Sequence, residues 1–265
     1  MSCNCIFRAV EKSCPGSLRR LLSNGADVNR IRVKILCEME DEDEEGGCSL
    51  YLQTPLIIAC SHSTSMVEAN QCVQLLLQWG ADTRVANHRA SAALSFSAKN
   101  SNTFTTKTLL EAGADPNAKN VNGSAALMFS ESPEITRLLL EAGANPNARH
   151  NRGTTPLVVS KSLEITRLLL EAGADPNAKD EYGKMAIDYA LPPRSVFRNL
   201  ASASKEQKEI FKLLVRSGSE VSGTPDARIL LEMLRDAEKE NCRLAREIQE
   251  VLPVWCEHAA RSAQG

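Results

Sequence analysis

Apolar residues recur along this chain at helical spacing, in short runs that a glycine ends. From Glu134 to Arg149 it reads EITRLLLEAGANPNAR, and from Glu164 to Lys179 EITRLLLEAGADPNAK, sixteen residues of which two differ. Ile135, Leu138, Leu139 and Ala142, like Ile165, Leu168, Leu169 and Ala172, fall at i, i+3, i+4 and i+7, which puts an apolar stripe on one helical face. Gly143 and Gly173 then predict the helix stop, because glycine enters the left-handed conformation without steric cost. Asn-Pro-Asn or Asp-Pro-Asn predicts a tight outward hairpin, since the first side chain bonds nearby backbone and proline fixes its own φ. A stripe this short cannot bury itself alone, so the thirty-residue self-similarity predicts one supersecondary unit stacked several times.

The same pattern can be followed from the start of the chain. Ile6, Ala9 and Val10 mark a first short helix and Leu18, Leu21 and Leu22 a second, closed by Gly25-Ala26-Asp27-Val28-Asn29 in the slot of Gly143. A turn, a Thr-Pro-Leu-type helix start, a leucine-rich second helix and a Gly-Ala-Asp-x-Asn close together resemble the ankyrin repeat. The aligned glycines Gly25, Gly80, Gly113, Gly143, Gly173 and Gly218 give six copies. The resemblance implies an all-α ankyrin-repeat solenoid of stacked helix-turn-helix units with protruding hairpins, here followed by a C-terminal helix. The division expected is an N-terminal capping copy (1–30), an acidic hairpin or loop insert (31–53), five further copies (54–86, 87–119, 120–149, 150–179 and 180–221) and a helical tail (222–265). None of the copies has the histidine of the family's T-P-L-H start; Ile57, Ser95, Met128, Val158 and Asp188 stand in that slot.

In the insert, Ile31, Val33 and Ile35 alternate with Arg32 and Lys34, a period of two that suits a half-buried strand. Seven carboxylates lie between Glu38 and Glu45, and Ser49 to Leu52 supply a returning strand, so an elongated hairpin with an acidic tip is expected; like-charge repulsion favours disorder at that tip. Thr54-Pro55-Leu56 is a helix start, with threonine as cap and proline at the first position. The segment from Ser61 to Gln71 reads as a connection about five residues longer than the family's, while copies four and five (FSESPEI and VSKSLEI) lack three residues from the turn between helices. In copy six Pro192-Pro193 stop the first helix, and Ser204 and Gln207 have the spacing of a capping box. Over Pro225 to Leu252 the positions Leu230, Leu234, Ala237, Asn241, Leu244, Ile248 and Val251 alternate by four and three, a coiled-coil seam or the face of a helix folded back as a terminal cap.

Charge and chemistry narrow the function. Basic and acidic residues nearly cancel, 31 against 33, so net charge suggests neither nucleic acid nor an anionic membrane. No apolar run reaches the length of a membrane span and the first residues lack a secretory core, so a cytoplasmic protein is expected, with the nucleus also open. The nine cysteines are odd in number and sit mostly at apolar helical positions, as reduced thiols do; Cys5 reads as a buried thiol ahead of the first helix. Cys3, Cys5 and Cys14 do not have zinc-ligand spacing. The recurring Asp27, Asp82, Asp115 and Asp175 share one slot per copy, which suits turn formation better than acid catalysis. No phosphate loop, dinucleotide fingerprint or nucleophile motif occurs, so no catalytic, metal or cofactor site is expected.

What remains is surface. The resemblance implies that partners bind along the hairpin tips and the first helices, which line a concave groove. On these positions stand Arg84, His88, Arg89, Phe96, Lys119, Phe129, Arg149, His150, Arg152, Lys179 and Tyr182, the protein-binding candidates. A row of positive charge at the repeat spacing suits an acidic peptide, and equally suits tips charged for solubility. The acidic insert, of opposite charge, could reach across the tips of copies two and three and compete with such a partner. Two other classes stand beside a protein-interaction module: an adaptor whose C-terminal helix, in coiled-coil contact through 230–251, recruits machinery such as a ubiquitin ligase component, and a pathogen effector that binds host proteins.

Overall fold

The computed structural model describes residues 5–37, 48–61, 66–85, 93–190 and 205–219. The acidic tip, His88 and Arg89, Pro192-Pro193, Ser204 and the helical tail lie outside them. The chain divides into two compact units, Met1–Asn151 and Arg152–Gly265.

In the first unit, short helices pair in sequence: α1 (Cys5–Glu11) with α2 (Pro15–Ser23), α3 (Pro55–Ser61) with α4 (Met66–Gln78), α5 (Ala93–Lys99) with α6 (Thr103–Glu111), and a 3₁₀ turn (Ala126–Phe129) with α7 (Pro133–Glu141). First helices pack on first helices (α1 on α3, α3 on α5, α5 on the 3₁₀ turn) and second on second (α2 on α4, α4 on α6, α6 on α7). Leu18, Leu22, Leu56, Ile58, Leu76, Leu109, Ile135 and Leu139 are withdrawn from water between these layers. Burying each such side chain is worth about 1.5–3 kcal/mol against leaving it exposed. The second unit repeats the scheme: α8 (Pro156–Val159) packs on α10 (Ala186–Ala190) and α9 (Leu163–Glu171) on α11 (Lys205–Arg216), around Leu157, Leu169, Met185 and Leu214.

The helix stops follow from the glycines. At Gly143, φ is +86°, its N–H donates to Leu140 O at 3.0 Å and Ala144 N–H to Leu139 O at 2.9 Å. This double closure satisfies carbonyls that the ended helix leaves open. The chain then turns on a side chain, and Asn147 N–H donates to Asn145 Oδ1 at 2.9 Å. Asp27, Asp82, Asp115 and Asp175 accept the same bond from Asn29, Arg84, Asn117 and Asn177, each at 2.9 Å, so the recurring acids are turn formers.

Four details depart from the sequence expectation. Met66 to Gln71 are helix rather than connection: Ala69, Cys72, Val73 and Leu76 form a buried stripe, so the additional residues lengthen α4 to 13 against nine in α6, α7 and α9. In copies four and five the three missing residues come out of the first helix, which shrinks to four residues, while a three-residue connection remains as in copy three. Thr136 and Thr166, not Leu138 and Leu168, are the fully buried neighbours of Leu139 and Leu169. Cys5 begins α1 rather than preceding it.

The insert adds the expected hairpin. β1 (Arg32–Cys37) and β2 (Cys48–Gln53) pair antiparallel, from Arg32 opposite Gln53 to Cys37 opposite Cys48. Six-residue strands extend about 20 Å. Arg32 fastens the base: Nη2 donates to Glu11 Oε1 at 2.6 Å and to Gln53 Oε1 at 2.9 Å, and the guanidinium lies 4.9 Å from the centre of the Phe7 ring. Thr54 then caps α3, its Oγ1 accepting from Ile57 N–H at 3.3 Å.

Candidate functional site

In each unit two kinds of backbone are free to meet another molecule: the tips between copies and the outer side of the first helices. A tip is built from one side chain. Asn120 Oδ1 accepts from the N–H groups of Asn122 and Ser124 at 3.0 and 2.9 Å, while Asn120 N–H donates to Ser124 O and Gly123 N–H to Asn120 O. The next tip rests on it, with Asn151 N–H donating to Asn122 O at 2.8 Å and Asn151 Nδ2 to Val121 O at 2.9 Å. Gly123 is required at this contact. Its φ is +78°, and a Cβ there would meet Asn151 Oδ1 at 2.6 Å and Asn151 N at 3.0 Å.

Asparagine amides also tie one copy to the next. Asn29 Nδ2 donates to Gly80 O at 3.2 Å while its Oδ1 accepts from Asp82 N–H at 2.8 Å. Asn117 does the same with Gly143 O at 2.9 Å and Asn145 N–H at 2.7 Å, and in the second unit Asn177 Nδ2 reaches Gly218 O at 3.0 Å. Copy two breaks the series: Arg84 stands in the asparagine slot, and its Nε turns back to Asp82 Oδ1 at 3.1 Å. The charge and hydrogen bonds of Arg84 hold the Asp82 carboxyl below its usual range, backbone N–H first.

Inside each pair of copies three to five a hydroxyl bridge joins the helices. Thr106 Oγ1 donates to Ser97 Oγ at 3.0 Å, and the hydroxyls of Ser130 and Thr136, and of Ser160 and Thr166, lie 2.8 and 3.1 Å apart. Each threonine also bonds the carbonyl four residues back, at Asn102, Ser132 and Ser162. These contacts hold the serine against the second helix, and with it the residue just before the serine. That residue is Phe96, Phe129 or Val159; in copy six Tyr189 stands in the same slot, ahead of Ala190.

In the first unit the candidates are distributed as follows. Arg84, Lys119 and Arg149 are exposed on the tips and His150 is half-buried; Phe96 and Phe129 are half-buried at matching places on adjoining first helices. His88 and Arg89 lie outside the described residues. Val121, exposed on the same tip as Asn120, had no charge or period to mark it in the sequence.

The second unit presents more apolar surface. Tyr182 is 66 % exposed, Tyr189 43 % and Val159 40 %. Asp180 builds this tip as Asn120 builds the other, accepting from Tyr182 N–H and Lys184 N–H at 2.9 Å each through Oδ1, while the Tyr189 hydroxyl donates to its Oδ2 at 2.5 Å. Lys184 Nζ sits 5.5 Å from the centre of the Tyr189 ring. The bond to Asp180, then burial and the neighbouring negative charge, push the Tyr189 hydroxyl up to about 12. Burial opposes ionisation of Asp180, but the hydrogen bonds from Tyr189, Lys184 and Tyr182 outweigh it and its carboxyl is held down. Arg152 lies 3.5 Å from Glu181, and Lys179 is exposed beside them, so the charge on these tips is mixed rather than uniformly basic.

Between α2 and α4 runs a shallow groove of about 400 Å³ lined by Pro15, Arg19, Gln71, Gln74, Leu75 and Gln78. Among the described residues no group of three or more His, Cys, Asp or Glu is placed to hold a metal, and no helix is long and apolar enough to cross a membrane. Residues 62–150 and 94–180 match the family model for ankyrin repeats, in three copies. No curated protein matches the chain.

Proposed function

Because this chain is an ankyrin-repeat protein, with the repeats matched over residues 62–180 and members of that family generally binding other proteins, we propose that it is a non-enzymatic protein-interaction module working through its tips and first helices. One observation carries the reading: Val159, Tyr182 and Tyr189 leave three large apolar side chains exposed within the second unit, on one tip and two adjoining first helices. Tyrosine gives wide contact area with few rotatable bonds and a polar end, which is why such residues dominate binding energy at interfaces. The Asp180 bond holds the Tyr189 ring in place before a partner arrives, so less ordering cost is met on binding.

In the first unit the reading is an acidic segment held at Arg84, Lys119 and Arg149 with its apolar side chains against Phe96 and Phe129. Complementary charge there raises the association rate and rejects basic partners. Proximity labelling in the native cell, run with the wild-type chain, with Tyr182→Ala/Tyr189→Ala and with Phe104→Ala on a second helix, tests the proposal. Proteins labelled by the wild type and by Phe104→Ala are lost from the tyrosine variant if it is right. An unchanged set in the tyrosine variant, or losses confined to Phe104→Ala, refutes it. Charge reversal at Arg84, Lys119 and Arg149 then separates partners held by the first unit.

A further inference from the structure

The strand register of the insert places Cys37 directly opposite Cys48 at the far end of the hairpin. Residues directly opposed in an antiparallel pair have Cα atoms about 4.5 or 5.5 Å apart, depending on whether they exchange hydrogen bonds. Both values fall inside the range of about 4.4–6.8 Å found across disulfides. Between the two cysteines lie residues 38–47, with seven carboxylates, so a bond here would join the two ends of the acidic segment.

We propose that Cys37 and Cys48 form a reversible disulfide that ties the acidic segment at its base, a modification independent of partner binding. The oxidant is a small-molecule disulfide. The thiolate of one cysteine attacks a sulfur of that disulfide, expelling one small thiol and leaving a mixed disulfide on the protein. The second cysteine, having lost its proton to solvent, attacks the protein sulfur of the mixed disulfide and expels the second small thiol. Two protein thiols are oxidised and one small disulfide is reduced to two thiols; a reducing thiol reverses both steps.

The register also explains the choice of pair. Opposed strand positions need little backbone movement to close, whereas Cys60 and Cys72 are buried inside the helix layers. Burial pushes their thiols up to about 12 and about 11, so they stay protonated and slow to exchange. Stapling the last register position also secures the whole ladder from its open end, opposite the clamp that Arg32 makes at its base.

The test uses the full native chain treated with oxidised glutathione, then alkylated and digested without reduction by a protease that cuts after glutamate. Cleavage within Glu38–Glu45 leaves the two cysteines on separate peptides. The expected result is a pair of peptides joined through Cys37 and Cys48, a protein lighter by about 2 Da, and reversal by reduced dithiothreitol. Cys37→Ser and Cys48→Ser should each abolish the mass loss. Recovery of Cys37 and Cys48 as separately alkylated or separately glutathionylated residues in the wild type would overturn the proposal, as would a mass loss that survives in either variant.

Discussion

Replacing Gly123 by alanine separates two contributions that a repeat tip makes to stability. Gly113 and Gly123 share nearly the same backbone, φ +82° and +78°, but a Cβ at Gly113 meets nothing within 4 Å while at Gly123 it meets Asn151. Forcing alanine into the left-handed region costs about 1–2 kcal/mol at either position. At Gly123 the methyl also stands 2.6 Å from Asn151 Oδ1 and 3.0 Å from its backbone nitrogen, so Asn151 has to move. Its bonds to Asn122 O and Val121 O, at 2.8 and 2.9 Å, then weaken. At about 0.5–1.5 kcal/mol each, the additional loss is about 1–3 kcal/mol. Urea unfolding of Gly113→Ala, Gly123→Ala and the wild type gives the difference in midpoint. Hydrogen exchange at the Asn151 amide locates it, since that N–H loses its acceptor only in Gly123→Ala. Equal midpoints for the two variants, with unchanged protection at Asn151, would refute the steric argument and leave only the backbone cost.

Thr136→Val leaves Ser130 Oγ without its buried partner and should cost about 1–2 kcal/mol, whereas Ser130→Ala/Thr136→Val should cost less than the two singles added; strict additivity in the double-mutant cycle contradicts the bridge. Arg84→Asn restores the amide slot filled by Asn29 and Asn117, and should raise the thermal midpoint through about 0.5–1.5 kcal/mol of new bonds to Gly113 and Asp115; a lowered midpoint counts against the series of amides. The Tyr189 hydroxyl, raised to about 12 in the folded chain, contributes stability below the ordinary tyrosine value near 10 that is lost as pH climbs through about 12. Ultraviolet titration should show this late phenol, and Asp180→Asn should bring it back toward 10. Asp180 has the opposite sign: its lowered carboxyl contributes above its unfolded-state value, and that contribution disappears as pH falls through the folded one.

Much of this was legible in the sequence because the helix stops and turns are local. Gly143 and the Asp-Pro-Asn segments act within four or five residues of themselves, so their chemistry could be read without a fold. The hairpin of the insert was legible for the same reason, from alternation at period two. What escaped reading depends on contacts between copies or between helices. Thr136 is polar and breaks no rule of spacing, yet it is buried because Ser130 and Ser132 O satisfy its hydroxyl. Asn29 and Asn117 looked like turn residues only, since their amide partners lie 51 and 26 residues away. The loss of three residues in copies four and five reads as a loss from the connection, not from the first helix, because FSESPEI carries no signal for where a single turn ends. Of the candidate site, Tyr182 was visible as an aromatic residue in a turn. Tyr189 was not, because the same letter one turn earlier or later in a helix would be core.

In the proposed function, tips and first helices, not second helices, hold the partner. Hydroxyl-radical footprinting of the chain alone and with a protein captured by proximity labelling tests it, because Tyr182 on a tip, Tyr189 on a first helix, Phe104 on a second helix and Trp79 at the end of one are all exposed and reactive. Oxidation of Tyr182 and Tyr189 should fall on binding while Trp79 and Phe104 keep their rates. Protection of Trp79 or Phe104 with Tyr182 and Tyr189 unchanged would contradict it.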